Sequence, residues 1–303
     1  MSQTPSATDI DELATVRDWL RFGTSRFTEA GLVFGHGTET ALDEAAFLML
    51  TALHLPIDQL EPWLDARLTR QERTRLAGLF AERIASRKPA PYLVNAAWIK
   101  GRHFYVDERV IVPRSYIGEL LEEDRLSSVI GDPGAVARVL DLCTGSGCLA
   151  ILAALAFPNA NVEAADISAD ALEVAKRNVA DYELADRITL SQSDLFSALS
   201  GRTYDVIVSN PPYVAAQAVV DFPPEYAAEP QLAHLGGEDG LDLVRRILDG
   251  AGAHLEPDGV LVVEVGRARD ALETEYPDLP FLWLDTEQSE GELFALPADA
   301  LRR

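Results

Sequence analysis

The sequence predicts an α/β fold: a doubly wound, mostly parallel sheet, preceded by a small helical region and a β-hairpin. Three observations predict it. From Arg138 onward, short β-branched runs alternate with helical periodicities, as when crossover helices join parallel strands. The first run, Val139-Leu140-Asp141-Leu142, leads into the glycine-rich turn Cys143-Thr144-Gly145-Ser146-Gly147-Cys148, ahead of a helix. The fourth, Tyr204-Asp205-Val206-Ile207-Val208-Ser209, stops at Asn210-Pro211-Pro212-Tyr213, because prolines cannot donate to a ladder. In open α/β sheets such strand ends carry the ligand site.

Residues from about 8 to 88 read as helical. Ile10, Leu13, Val16 and Leu20 recur at helical spacing, as do Leu42, Ala45, Ala46, Met49 and Leu53, then Leu76, Leu79, Phe80 and Ile84. Thr40 before Asp43 and Glu44 marks a helix start, and Pro56 a stop. Helical bundles ahead of a sheet domain are more often recognition modules or packing caps than active sites. Residues 1–88 are read here as a substrate-recognition domain. Within it Arg67, Arg70, Arg73, Arg75, Arg83, Arg87 and Lys88 are a basic concentration in an acidic chain. A solvated helix face offset by Glu72 and Glu82 is the default reading; RNA contact is the alternative.

Lys88-Pro89-Ala90-Pro91 is expected to end the helical region. Residues 89–113 read as a hairpin linker turning at Lys100-Gly101-Arg102, with Val110-Ile111-Val112 extended, closed by Pro113-Arg114-Ser115. A helix is predicted over 117–129, opening a catalytic domain over 114–303. There the later strands are 162–165 ending in Asp166, 188–191 ahead of Asp194, 260–265, and a final pair over 281–284 and 293–296 with one antiparallel member. Helices are predicted over 148–155, 169–182 and 241–254. Residues 214–240 form a long connection, expected to order over a bound substrate peptide.

The net charge of −23 over 303 residues disfavours free nucleic acid and anionic membrane as partners, because phosphates need clustered Lys and Arg. It is compatible with a basic protein partner. No apolar run approaches the roughly 20 residues of a membrane span. The first residues lack the basic-then-apolar pattern of a signal peptide, so the expected location is cytoplasmic. Two cysteines, Cys143 and Cys148, form neither a disulfide framework nor a metal site, and the five histidines are scattered. No metal is expected.

The glycine loop alone would also suit a dinucleotide. Its spacing, however, is not the G-x-G-x-x-G that serves a pyrophosphate, and residues 141–150 hold no Lys or Arg. Asp166, about 20 residues on, ends the second strand where a carboxylate can take both ribose hydroxyls. Asp194 follows the third strand, where it can meet an adenine amino group. Glycine loop, ribose carboxylate and adenine-side carboxylate together describe a site for S-adenosyl-L-methionine, an adenosine without phosphate.

This set, with Asn210-Pro211-Pro212-Tyr213 on the next strand, resembles class I S-adenosylmethionine-dependent methyltransferases acting on planar amino or amide nitrogens. Across about residues 10–296 the chain looks like the bacterial protein-(glutamine-N(5)) methyltransferases. It is most similar to the branch that methylates large-subunit ribosomal protein three. Phe104-Tyr105-Val106-Asp107-Glu108-Arg109-Val110, Val112-Pro113-Arg114-Ser115, Ile117-Gly118-Glu119-Leu120, the 141–148 loop and Gly236-Gly237-Glu238-Asp239-Gly240-Leu241-Asp242 carry that similarity. The release-factor branch typically has Gly where Cys143 stands, and Pro-Arg-Pro where Pro113-Arg114-Ser115 stands.

The resemblance implies a Rossmann-like, mostly parallel seven-stranded sheet. It implies a donor site from Asp141, Cys143, Thr144, Gly145, Gly147, Asp166, Ile167, Asp194, Leu195 and Asn210. It implies catalysis by Asn210, Pro211, Pro212 and Tyr213, and substrate contacts from Asn210, Pro211, Tyr213 and Arg114. The implied partner is ribosomal protein three, and the implied products are methylglutamine and S-adenosyl-L-homocysteine. In this scheme the Asn210 side-chain oxygen and the Pro211 carbonyl accept the two amide N–H groups, while Tyr213 stacks on the amide.

Overall fold

The computed structural model describes residues 11–123 and 125–302. The chain folds as two compact units. One comprises the residues up to Glu108 together with Phe222–Glu229; the other comprises Arg109–Asp221 and the residues from Pro230 onward.

The first unit is helical: α1 (Val16–Glu29), α2 (Ala41–Ala52), α3 (Arg70–Ser86) and α4 (Ala90–Val94). The predicted helical stretch from Ile10 lies partly outside the described residues; α1 begins at Val16 because Thr15 and Asp18 form a reciprocal capping box. Thr69 and Glu72 repeat the device at α3, and Thr40 caps α2. Trp19, Phe27, Leu48 and Phe80 are buried at the centre, with the Phe27 and Phe80 rings edge to face at 5.1 Å. Each such side chain contributes about 1.5–3 kcal/mol by leaving water.

Two expectations change here. The prolines at 89 and 91 do not end helical structure. Arg87, at φ 58°, terminates α3, and Pro91 occupies the first turn of α4, where its missing N–H does no harm. The hairpin, β1 (Ala97–Ile99) and β2 (Arg102–Phe104), turns through Lys100 and Gly101, both left-handed. Val110-Ile111-Val112 lies outside any strand. The 89–113 linker is therefore not a separate body: Asn95 Nδ2 donates to the Val106 carbonyl (3.0 Å), Lys88 pairs with Glu108, and the division falls after Glu108.

The basic concentration is largely paired within this unit. Arg83 is fully buried, donating to Glu44 at 2.7 Å and lying 3.9 Å from Glu225; Arg87 reaches Glu225 at 2.7 Å. Glu225 also accepts the Val33 N–H (3.0 Å), and the Tyr226 ring lies 4.3 Å from that of His36. The segment Phe222–Glu229, far away in sequence, is thus part of the helical core. Arg67 and Arg75 are exposed.

The second unit begins with α5 (Ile117–Glu122) and α6 (Ser127–Ile130). The single helix predicted over 117–129 is broken, because the Arg125 N–H turns back to the Leu120 carbonyl (3.0 Å) and closes α5; residue 124 lies outside the described set. There follow β3 (Arg138–Leu142), α7 (Cys148–Ala156), β4 (Asn161–Asp166), α8 (Ala169–Asp181), β5 (Ile188–Gln192) and β6 (Tyr204–Ser209). Next come α9 (Ala216–Val220), α10 (Asp242–Ala251), β7 (Leu255–Glu264), α11 (Arg269–Glu275), β8 (Leu282–Leu284) and β9 (Leu293–Pro297).

The seven strands order as β5-β4-β3-β6-β7-β9-β8, with β9 alone antiparallel to its neighbours. This is the expected sheet, with β7 starting earlier than predicted, at Leu255, and a register irregularity opposite Tyr204–Val206. Residues 214–240 are not structureless. They carry α9, a bridge between Val214 and Leu235, and the excursion through Phe222–Glu229.

Candidate active site

Successive strands run outward from β3 to β4 and β5, and the chain then returns to place β6 on the other side of β3. That reversal leaves a crevice beyond the carboxyl ends of β3 and β6. A cavity of about 530 Å³ opens there, within the size range of small-molecule sites.

The floor is the turn after β3. Cys143, Gly145 and Gly147 take φ values of 60°, 55° and 79°, so the chain winds tightly with three left-handed residues in five. Gly147 packs directly on α8: a Cβ there would lie 3.0 Å from that of Ala175. Asp166 holds the turn from the side, Oδ2 accepting the Gly145 N–H and Oδ1 the Ser168 N–H, both at 2.9 Å. Burial lifts its carboxyl above the usual range, and those N–H groups oppose the rise.

Asp141 lies beneath, fully buried, with Oδ2 accepting the Thr144 hydroxyl at 2.5 Å. Burial pushes its carboxyl up to about 7 against that hydrogen bond. Its Oδ1 has no hydrogen-bond partner among the described residues. The thiols are held neutral: burial pushes Cys148 up to about 12, and Cys143 rises as well.

At the far end Asp194 lines the cavity half exposed and is ion-paired with Arg246 at 2.8 Å. Leu195, at φ 49°, and Ile167, 49% exposed, supply apolar wall. Asn210 also lines the cavity. Its strand end is fixed by Ser209, whose hydroxyl donates to the Leu142 carbonyl at 2.9 Å.

Directly after Asn-Pro-Pro-Tyr, the backbone is laced to residues 234–236: Val214 donates to His234 and Gly236 to Val214, at 3.0 and 2.9 Å. The fit is close enough to need glycine: a Cβ on Gly240 would lie 2.4 Å from the Tyr213 carbonyl.

Cys143, Gly145, Asp166, Ile167, Asp194, Leu195, Asn210 and Pro212 line the cavity. Asp141, Thr144, Gly147, Pro211, Tyr213 and Arg114 are not among its lining residues. The Tyr213 ring lies on Gly266 and its hydroxyl donates to Glu264 at 3.1 Å, because a buried phenol needs a partner. Arg114 donates to the Val112 carbonyl at 3.3 Å.

Sequence reading missed Arg109, Val110, Ile111, Leu232, Leu235 and Arg246 as lining residues. Arg109 and Val110 fall within the family stretch 104–110 and Ile111 between it and 112–115, while Leu232, Leu235 and Arg246 lie near 236–242. Glu119, Glu123 and Glu287 also come together, a grouping hidden by sequence distance, but Glu119 already accepts the Glu287 N–H.

The methyltransferase small domain family matches residues 126–222. The hMettl16 catalytic domain, in complex with MAT2A 3'UTR hairpin 1, is similar with a TM-score of 0.50 at 19% identity, covering 78% of this chain and 84% of that one. Fold and family match together define a class I S-adenosylmethionine-dependent methyltransferase. A Bradyrhizobium diazoefficiens protein named ribosomal protein uL3 glutamine methyltransferase is 56% identical over 292 residues, covering 95% of this chain and 92% of that one. Its Bordetella pertussis namesake is 54% identical over 290 residues, covering 96% and 97%. This chain belongs to the ribosomal protein uL3 glutamine methyltransferase family.

Proposed function

We propose that the protein methylates the side-chain amide N(5) of a glutamine in large-subunit ribosomal protein uL3. One observation carries the reading: more than half of the residues are shared, over nearly the full length of both chains, with proteins of that name. The helical unit then serves substrate recognition, and the chain's net charge of −23 suits a basic protein partner. No described helix is long and apolar enough to cross a membrane. The reading places the enzyme in the cytoplasm, with its ribosomal substrate.

The cavity suits the methyl donor. Asp166 presents a carboxylate beside the open face of Gly145, where a Cβ would meet nothing within 4 Å. Ile167 and Leu195 offer apolar wall to adenine. When bound, S-adenosyl-L-methionine supplies an electrophilic methyl on a sulfonium and departs as S-adenosyl-L-homocysteine.

The chain's own residues make the amide a nucleophile. A glutamine amide is weak because its lone pair is delocalised into the carbonyl. The Asn210 side-chain oxygen accepts one N–H and the Pro211 carbonyl the other, raising electron density on nitrogen and aiming it. Positioning and electrostatics of this kind supply several kcal/mol. No strong base is required, since the nitrogen becomes acidic only once alkylated, and its proton passes to solvent.

The test is mass spectrometry after separate incubation of enzyme and methyl donor with uL3 and with a peptide chain release factor. One added methyl on a glutamine of uL3 alone is expected. Modification of the release factor instead would keep the chemistry and overturn the substrate.

A further inference from the structure

We infer that Glu264 is a positioning residue for the transfer: it ties the Asn-Pro-Pro-Tyr loop to the 113–116 loop and so fixes where the amide acceptors stand. Glu264 ends β7, directly beside the reacting strand. The last paired residues of β6 and β7 are Ser209 and Val263, so Asn210 and Glu264 are the next positions on neighbouring strands.

The side chain is buried, 1% exposed, and accepts three hydrogen bonds from two loops. Oε2 takes the Ser115 hydroxyl (2.7 Å) and the Tyr116 N–H (2.9 Å); Oε1 takes the Tyr213 hydroxyl (3.1 Å). Tyr213, two residues after the proposed Pro211 acceptor, is thereby anchored at its far end, with its ring on Gly266.

A carboxylate in such a place is costly unless hydrogen-bonded. Burial lifts it to about 7; Ser115, Tyr213 and Tyr116 pull it down, and the nearby charge of Glu292 pushes it up. Arg114 is the cation facing the Tyr213 end. An apolar residue would fill the space without that penalty but would leave three donors unpaired and both loops untied. The chain instead keeps a group that holds both at once.

The kinetic arm rests on the role proposed for Asn210 and Pro211; the exchange arm does not. In Glu264→Ala, amide hydrogen exchange is expected to rise in both segments, 113–118 and 211–216. The value of kcat on uL3 should fall by about 100-fold while donor affinity stays within about threefold. Glu264→Gln keeps acceptors for Ser115 and Tyr116 and can donate its amide N–H to the Tyr213 hydroxyl oxygen. It should therefore restore protection of both segments and recover much of kcat, whereas Tyr213→Phe should raise exchange in 211–216 and lower kcat, with the Glu264→Ala/Tyr213→Phe double variant no worse than Glu264→Ala alone.

Unchanged exchange in Glu264→Ala overturns the inference whatever the substrate. So does raised exchange with kcat intact, or fully additive losses in the double variant. Should Glu264→Ala not fold, Glu264→Gln and Tyr213→Phe decide the matter through the same readouts. Failure of the wild-type enzyme to methylate uL3 would strike the proposed substrate, leaving the exchange result to judge Glu264.

Discussion

Asn210 is half buried at the cavity wall, on a strand end that Ser209 pins to β3. Asn210→Ala should lower kcat by about 10²–10³-fold, the scale of one lost transition-state acceptor, with donor affinity nearly unchanged. Turnover within a few-fold of wild type, set beside calorimetric donor binding, would sink the role. Asp141 and Glu264 give a pH signature. Burial raises each folded carboxyl to about 7, above unfolded values near 4. The stability this contributes is present below pH 4 and is lost as pH rises through 7. The sum is at most about 3–4 kcal/mol per group, at about 1.4 kcal/mol per pH unit. Melting temperature should therefore decline from pH 5 to 8, and Asp141→Asn should flatten part of the decline. At this scale the sequence was legible where chemistry coincides with strand ends: Asp166, Asp194 and Asn210 all reach the cavity. It was not legible for Tyr213, because its direction is set by a carboxylate 51 positions away.

The turn between β3 and α7 is the element on which the donor site depends. Gly147→Ala would hold a side chain at φ 79° and press it against Ala175. A loss of about 1–3 kcal/mol in stability, with weakened donor binding, is expected from thermal denaturation and titration calorimetry. Unchanged values for both would mean the turn relaxes freely. Strands and helices with strong periodicity and caps were readable, as Thr40 before α2 and the β-branched β6 show. The division of 117–129 was not, because it depends on a backbone bond from Arg125 to Leu120 rather than on any breaker residue. Nor was α4, where proline reads as a stop in sequence but serves as a first-turn residue in the fold.

At the scale of the whole molecule, the helical unit includes a buried charge cluster closed by Glu225 from the distant 222–229 segment. Glu225→Ala would remove the counter-charge of Arg87 and leave buried Arg83 with Glu44 alone. Stability should fall by about 3–5 kcal/mol, read from urea unfolding; a change under about 1 kcal/mol would show the cluster to be dispensable. No periodicity or spacing could reveal this return of the chain, because it joins residues up to 192 positions apart. It bears on inheritance. A fold whose front portion is contiguous can be exchanged between relatives by one recombination event. Here a transplanted front portion would arrive without the eight residues Phe222–Glu229 that complete it. Hybrids made by a single crossover near Glu108 should therefore fail unless the donor's 222–229 segment travels too. The two pieces are bound to drift together, as one heritable unit split across the coding sequence.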